Sequence, residues 1–322
     1  MNDDEVKMKK QYIKKEDLAR VKELDLLTYF KMYAPQELIR NGRNDYITRT
    51  HGSLHISNGL WCWWAKGIGG RNALKYLIEV EGRGFLEAAL YLKNLLDHQP
   101  PEEIQPVCKS IYKFRLPRAN LTNDIVKKYL INERKIDKEV VDYCINHYLI
   151  YEAAQDHSIV FIGFDHEQRA KFACIRSTNS DKKKDLPGSN KQYSFRIQNK
   201  ESNILHVFEA PIDLLSYLTL EKQRHRQFGK DNYLSINGAS IIGKSIENTS
   251  LPIALSDVLK NYEIHSIHLH LDDDKAGKDT TDKIIYHLKD QYEVFDDKIT
   301  GYKDVNEYLI KKCSKEKQQY VK

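Results

Sequence analysis

The C-terminal third of the chain reads as an α/β domain built on a parallel sheet, and three observations predict it. From residue 204 onward, β-prone runs alternate with amphipathic stretches: ILHVFEA, PIDLLSYLTLEKQ, NYLSINGAS, PIALSDVLKNY, IHSIHLHL, DKAGKDTTDKIIYHLKDQ, YEVFDD and DVNEYLIKKC. Strands alternating with helices imply parallel strands joined by crossovers that cover both faces of the sheet. Pro211 stands in the first turn of the first helical stretch, where a missing amide costs nothing. Two strands end in acids, Glu209 after ILHVF and Asp272, Asp273 and Asp274 after HLHL. In an open parallel sheet, functional groups gather beyond the carboxyl ends of the strands.

The upstream elements follow in order. Residues 1–22 form a charged lead-in, frayed or helical, and LDLLTYFKMYAPQELIR reads as an amphipathic helix with Leu24, Leu27 and Phe30 at helical spacing. NDYITRTHGSLHISNGLWCWWAKG reads as a small antiparallel unit with turns at His51-Gly52-Ser53 and Asn58-Gly59. IGGRNALKYLIEVEGRGFLEAALYLKNLL reads as two helices broken at Glu81-Gly82-Arg83-Gly84, and HQPPEEIQP as a linker. Residues 119–150 read as helical, SIVFIGFD and RAKFACIRS as strands, DKKKDLPGSNK as a basic loop and QYSFRI as a strand. The expected organisation is an N-terminal domain over 1–97, a linker over 98–118, an α+β domain over 119–200, the parallel-sheet domain over 201–313 and a disordered tail over 314–322.

Composition narrows the function classes. A chain of 322 residues suggests two or three domains, and 41% hydrophobic residues suffices for ordinary cores. The net charge of +5 leans mildly toward a polyanionic partner. No apolar run has the length of a bilayer span, and the basic start has no apolar stretch behind it, so a cytoplasmic location and no membrane partner are expected. The five cysteines are scattered and form no C-x-x-C, which argues against a disulfide framework. There is no G-x-x-x-x-G-K-[ST] loop, so any unwinding would come from another protein.

The acids carry the chemistry. Residues i and i+2 of an extended segment point the same way, so Asp272 and Asp274 can face one site while Asp273 points elsewhere. Converging carboxylates repel one another unless a cation joins them. Mg²⁺ suits such a set because it is hard, prefers oxygen and keeps water or phosphate oxygens as its other ligands. The competing reading is an N-cap cluster, since aspartates before a helix also satisfy its free amides.

The segment E-A-P-I-D resembles the E-G-x-x-D first motif of the Toprim domain, shared by bacterial primases, type IA and II topoisomerases and certain nucleases. D-D-D-K-A-G resembles its D-x-D-x-A-G second motif, and G-Y-K-D-V-N-E-Y-L resembles the K-D-x-[DN]-E-x-L stretch of primase-like members. Carried over, the resemblance makes Glu209 a metal ligand or general acid/base, Asp272 and Asp274 metal ligands, and Asp213 and Asp304 secondary acids. Asn306 stands where replicative primases tend to have a further aspartate. Upstream, H-G-S-L-H-I, L-W-C-W-W-A-K-G-I-G-G-R-N-A-L-K-Y-L and F-L-E-A-A-L-Y-L are similar to the primase zinc ribbon, but Trp64 and Ala65 stand where its second cysteine would be. His51, His55 and Cys62 do not supply the usual ligand set, so no zinc is expected and a core of Trp61, Trp63 and Trp64 is expected instead. A single-strand role is an alternative for these tryptophans, because exposed rings stack on bases. Residues 119–197 are similar to a domain of unknown function that precedes Toprim in primase-like proteins of plasmids and conjugative elements.

Arg176, Lys182, Lys183, Lys184, Lys191 and Lys303 are the candidate contacts to nucleic acid or nucleotide, because guanidinium forks and lysine charges bind phosphate. The resemblance implies an Mg²⁺-dependent, primase-like nucleotidyltransferase, with Mn²⁺ as a substitute ion. Its expected partners are single-stranded DNA, nucleotide triphosphates and a helicase or relaxase of the same element. A Toprim nicking nuclease and a non-catalytic single-stranded DNA-binding module are the alternatives. A topoisomerase is disfavoured, because the chain has no room for a strand-passage gate.

Overall fold

The computed structural model describes residues 12–42, 44–100, 113–242, 245–247 and 249–319, with side chains to residue 315. The chain forms two compact units, Met1–Ser110 and Ile111–Lys322. The centre of the expected linker, residues 101–112, lies outside the described residues, as do residues 1–11 of the lead-in.

The first unit opens with α1 (Lys15–Glu23) and α2 (Leu26–Tyr33). Asp25 separates them by capping α2, its carboxylate accepting from the Thr28 amide at 3.0 Å and the Thr28 hydroxyl at 2.6 Å. The helix expected to run on through PQELIR stops at Tyr33. After a 3₁₀ turn the chain becomes β1 (Leu38–Arg40), followed by β2 (Asp45–Thr48), β3 (Leu54–Ser57), β4 (Leu60–Trp63) and β5 (Ile68–Gly70). These pair antiparallel in chain order. The Ile68-Gly69-Gly70 run, expected to open a helix, is instead the edge strand. A Cβ on Gly69 would lie 2.6 Å from the Trp61 carbonyl oxygen, so only glycine lets β5 close on β4. α3 (Ala73–Glu79) and α4 (Phe85–His98) complete the unit. Its core joins Leu54, Ile56 and Trp61 to Phe30, Leu77 and Leu92. Of the expected tryptophan core, Trp61 is buried, Trp63 is half-buried and packs against the same cluster, and Trp64 is 61% exposed. Trp64 lies beyond β4, in the 3₁₀ turn Trp64–Lys66.

The second unit begins with α5 (Asp124–Lys128), which widens into one π-helical turn over Tyr129–Glu133, and α6 (Lys138–Asn146). The antiparallel strands β6 (Ile150–Glu152), β7 (Ile159–Phe164), β8 (Ala170–Arg176) and β9 (Lys183–Asp185) pair in chain order. Part of the expected basic loop is thus a strand, with Lys183 opposite Arg176. The QYSFRI run gives a 3₁₀ turn and a short β10 (Arg196–Ile197).

The remaining elements are β11 (Ile204–Phe208), α7 (Pro211–Gln223), β12 (Asn232–Ser235), α8 (Ile253–Asn261), β13 (Ser266–His270), α9 (Lys275–Leu288), β14 (Glu293–Asp296) and α10 (Val305–Gln319). α10 continues through most of the segment expected to be a disordered tail. The sheet order is β10-β12-β11-β13-β14, with β12, β11, β13 and β14 parallel and β10 antiparallel at one edge. Both faces are buried. Leu205, Val207, Leu234, Ile267 and Leu269 pack with Leu255 and Val258 of α8 and Ile284 of α9. On the other face, Phe208 and Tyr233 join Leu214, Leu215 and Leu218 of α7, Val305 and Leu309 of α10, and Val126, Leu130, Val140, Phe161, Phe172 and Phe195 from upstream.

That second core means the expected boundary at 200/201 is no break in packing. A buried ion pair fastens the same junction. Asp257 of α8 accepts from Arg196 Nη1 at 2.8 Å and Gln192 Nε2 at 2.9 Å, and His166 Nε2 lies 3.2 Å away. These partners hold the Asp257 carboxyl below its ordinary range against the opposing effect of burial. Asp257→Ala strands the buried Arg196 guanidinium, and about 3–5 kcal/mol of stability is expected to be lost. A lowered urea midpoint for the second unit measures it, and an unchanged midpoint contradicts it.

Candidate active site

Three turns at the carboxyl ends of parallel strands place the acids. β11 ends at Phe208, so Glu209 is the first residue beyond the strand, Ala210 caps α7 and Pro211 begins it. Asp213, in the first turn of α7, is buried and accepts from the Asn306 amide at 3.1 Å. β13 ends at His270, Asp272 follows, and Asp274 caps α9 by accepting from the Gly277 amide at 2.9 Å. Asp274 is therefore an N-cap, and its capping role coexists with its place among the other acids. Asp273 turns to Lys278 at 2.9 Å, and its amide donates to the Lys303 carbonyl at 2.8 Å. Asp304 caps α10, accepting from the Glu307 amide at 2.7 Å.

Gly277 explains the A-G ending of the second motif. A Cβ there would lie 2.0 Å from the Asp272 carbonyl oxygen, so the first turn of α9 can sit against the aspartate loop only without a side chain.

The charges of these acids act on one another. Burial raises the Glu209 carboxyl and the charge of Asp274 adds to it, while Lys183, the Ala239 amide and Lys303 oppose. Burial also pushes Asp272 up to about 7, with Glu209, Asp304 and Asp274 each adding and Lys303 opposing. Asp213 is raised well above its ordinary range by burial, then by Asp304 and Asp272, with the Asn306 amide opposing. Each group is raised by burial and by its neighbours' charge, as carboxyls crowded together away from water are. Glu209 Oε2 is buried with no hydrogen-bond partner. As oxygen donors, the carboxylates of Asp272, Asp274 and Glu209, with Asp213 and Asp304 behind, suit a hard dication by chemistry, although among the described residues no three of them bring ligand atoms within 4.8 Å of one another.

The basic residues divide. Lys183 and Lys303 exert their charge on the acids. Lys182, Lys183 and Lys184 line a cleft of about 460 Å³ with Ser177, Asn179 and Ser180. Arg176 donates to the Tyr129 hydroxyl at 3.2 Å, and Arg134 donates to the same oxygen at 2.7 Å. Lys191 pairs with Asp185 at 3.2 Å and donates to the Asn237 carbonyl at 3.3 Å, which spends its charge within the protein.

Two contributors were not singled out from sequence. The Ala239 amide follows the Asn237-Gly238 turn, whose left-handed backbone (φ 54° and 115°) is the signal the N-G pair carries. Arg134 joins the π-helical turn to α10 through Asn306. Asn306 Oδ1 accepts from Arg134 Nη1 at 3.1 Å, and its Nδ2 donates to the Arg134 carbonyl and the Ser216 hydroxyl, both at 2.9 Å. The asparagine found in place of an aspartate is a buried joint with its side chain fully engaged.

A parallel sheet with one acid beyond β11, an aspartate pair beyond β13 and further acids at two helix starts is the arrangement of a Toprim domain. The family models agree: residues 206–309 match "Toprim-like", and residues 128–202 match a protein of unknown function, DUF3991. Residues 206–309 are thus a Toprim-like domain, preceded by the segment that matches DUF3991. The chain is 28% identical over 308 residues to an uncharacterized protein of Bacillus anthracis designated pXO2-78, spanning 89% of this chain and 83% of that one. Among solved structures it is similar to the Aquifex aeolicus primase zinc-binding and RNA polymerase domains (18% identity, 95% of this chain and 84% of that chain, TM-score 0.36). It is also similar to the primase fragment of the bacteriophage T7 primase-helicase (16%, 59% and 72%, TM-score 0.39). The assignment rests on the family models.

The raised Asp272 has a measurable sign. Its carboxyl binds a proton more tightly folded (about 7) than at its ordinary value of 3.8, so its contribution to stability is full below about 3.8 and is lost as pH rises through about 7. Asp272→Asn is therefore expected to raise the Tm of chelator-treated protein at pH 8 and to remove the Mg²⁺-dependent rise in Tm. In the wild type, Mg²⁺ affinity is expected to fall below pH 7, by up to about tenfold per unit for one competing proton. A lower Tm for Asp272→Asn in chelator would remove the repulsion argument.

Proposed function

We propose that this protein is a primase-like nucleotidyltransferase that builds short oligonucleotides on single-stranded DNA in an Mg²⁺-dependent reaction. The observation that carries the reading is the placing of Glu209, Asp213, Asp272, Asp274 and Asp304 beyond the sheet's carboxyl end, with the carboxyls of Glu209, Asp213 and Asp272 raised by burial and by their acidic neighbours. When bound by Asp272 and Asp274, Mg²⁺ supplies positive charge for the phosphates of an incoming triphosphate.

The chain's own residues do the rest. Glu209 Oε2, buried and without a hydrogen-bond partner among the described residues, accepts the proton of the 3′-hydroxyl as its oxygen bonds to the α-phosphorus and the bond to the departing pyrophosphate breaks. Asp213 and Asp304 fix the field at the site from the starts of α7 and α10. Lys183 and Lys303 draw phosphates toward the acids, and the cleft beside Lys182 and Lys184 leads a DNA backbone to them. Arg176, fixed at Tyr129 and opposite Lys183 on the neighbouring strand, offers its remaining N–H groups to the same backbone. Service in the replication or transfer of a mobile element is what the resemblance of residues 119–197 implies.

The test supplies single-stranded DNA, labelled ribo- and deoxyribonucleotides and Mg²⁺ or Mn²⁺, with supercoiled plasmid in parallel. Oligonucleotide synthesis is expected, reduced at least about 100-fold by Asp272→Asn or Asp274→Asn. Lys183→Ala is expected to weaken DNA binding uniformly across sequences and to lower its salt dependence. Nicked plasmid without oligonucleotides, lost on Asp272→Asn, would make the protein a nuclease. No product from either substrate, with equal DNA binding by wild type and the double variant, would overturn the enzyme reading.

A further inference from the structure

The second unit holds another ionisable cluster at the opposite end of the sheet. His206 lies in the middle of β11, Asp231 immediately precedes β12, and Glu221 sits in the last turn of α7. All three are buried, and one ligand atom from each lies within 4.8 Å of the others. The acids described above stand beyond the carboxyl ends of the strands, whereas Asp231 stands at the amino end of its own.

Proton bookkeeping in this cluster is constrained by a chain of three acceptors and donors. His270 Nδ1 lies 3.2 Å from the Asp297 carbonyl oxygen, which can only accept, so that nitrogen carries a proton. His270 Nε2 lies 3.0 Å from His206 Nδ1, and one of the two must accept. His270 is buried between Phe208 and Tyr217, with ring centroids at 4.9 and 4.4 Å, surroundings that disfavour an imidazolium. His270 Nε2 is therefore the acceptor and His206 Nδ1 the donor. In neutral His206 this leaves Nε2 with a bare lone pair, and that atom faces Asp231 Oδ2 at 3.5 Å. A lone pair against a carboxylate is repulsive unless a cation lies between them, either a second proton on Nε2, which makes an ion pair, or a metal ion.

The remaining contacts orient the carboxylates, and against the effect of burial the bonds from His206 and Ser202 and the charge of Lys230 keep Asp231 ionised. Ser202 Oγ donates to Asp231 Oδ1 at 2.8 Å, and Tyr233 Oη donates to Glu221 Oε2 at 2.7 Å. Lys230 reaches Asp231 only at 3.8 Å, from a half-exposed position. Two buried carboxylates and one imidazole nitrogen, with the other ring nitrogen held by a second-sphere hydrogen bond, form a metal-ligand set. Imidazole and carboxylate together favour zinc-class ions over Mg²⁺. Ligand bonds of about 2.0–2.2 Å need the cluster to close by under about 1 Å.

We propose that His206, Glu221 and Asp231 bind a divalent transition-metal ion of the zinc class. The ion ties the end of α7 to β11 and β12, and so braces from behind the helix whose first turn carries Asp213. This departs from the expectation that the chain carries no zinc, which was drawn from the ribbon-like segment around Cys62. The site stands whether or not primer synthesis is found.

The test is calorimetric titration of Zn²⁺ into the chelator-treated full-length protein with excess Mg²⁺ present. One equivalent is expected to bind to the wild type, to Cys62→Ser and to Asp272→Asn/Asp274→Asn. Asp231→Asn and His206→Gln are expected to weaken it by more than about 100-fold, beyond the effect of second-sphere changes. Co²⁺ in the wild type is expected to give visible absorption bands that Mg²⁺ does not displace, a readout that serves if His206→Gln fails to fold. Zinc binding abolished by Cys62→Ser or by the Asp272/Asp274 variant, binding unchanged in Asp231→Asn, or no binding at all would overturn the proposal and leave a His206–Asp231 ion pair.

Discussion

Everything in the second unit follows from a parallel sheet that must bury both of its faces. Along β11, Leu205 and Val207 face α8 and α9, while His206 and Phe208 face α7 and the upstream segment. Because the second face is covered partly by residues 126–195, the middle segment is a structural layer of the Toprim domain. Leaving Phe208, Tyr233 and the α7 leucines open to water would forfeit roughly 1.5–3 kcal/mol for each large apolar side chain. The Arg196–Asp257 pair and the Asn306 joint then set the register of layers that apolar packing holds together.

Against that frame the acids are a local cost. Burial and mutual repulsion act in the same direction on Glu209, Asp213 and Asp272, so the fold holds them in positions that are unfavourable until positive charge arrives. The positions are held by main-chain devices: the proline start of α7, the Asp274 and Asp304 caps, and the close approach of α9 to the aspartate loop.

Much of this was legible in the sequence, and for physical reasons. The βα alternation is a long, periodic signal, and acids at strand ends have a position fixed by topology, so Glu209, Asp272 and Asp274 could be placed without coordinates. Short-range competition was less legible. Asp25 could cap a helix or sit within one, and its contact with Thr28 decides for the cap. Lys183–Asp185 reads as a solvated loop until β8 supplies an edge to pair with. Trp63 and Trp64 carry the same local signal as Trp61, and only the path of the chain separates the core residue from the exposed one. Asn306 looked like a lost ligand by analogy, and its partners Arg134 and Ser216, 172 and 90 residues away, are invisible to any local pattern.

Gly277 has a consequence for reading other chains of this kind. The residue has no functional group and touches no reacting atom, yet it sets how near α9 comes to the aspartate loop. A sequence that spells both aspartates but places any side chain at this position has the letters of the motif without its geometry. The absence of a single carbon atom is thus as much a part of the aspartate loop as its carboxylates, and it offers a criterion for separating Toprim-like chains with an intact loop from those that retain only its spelling.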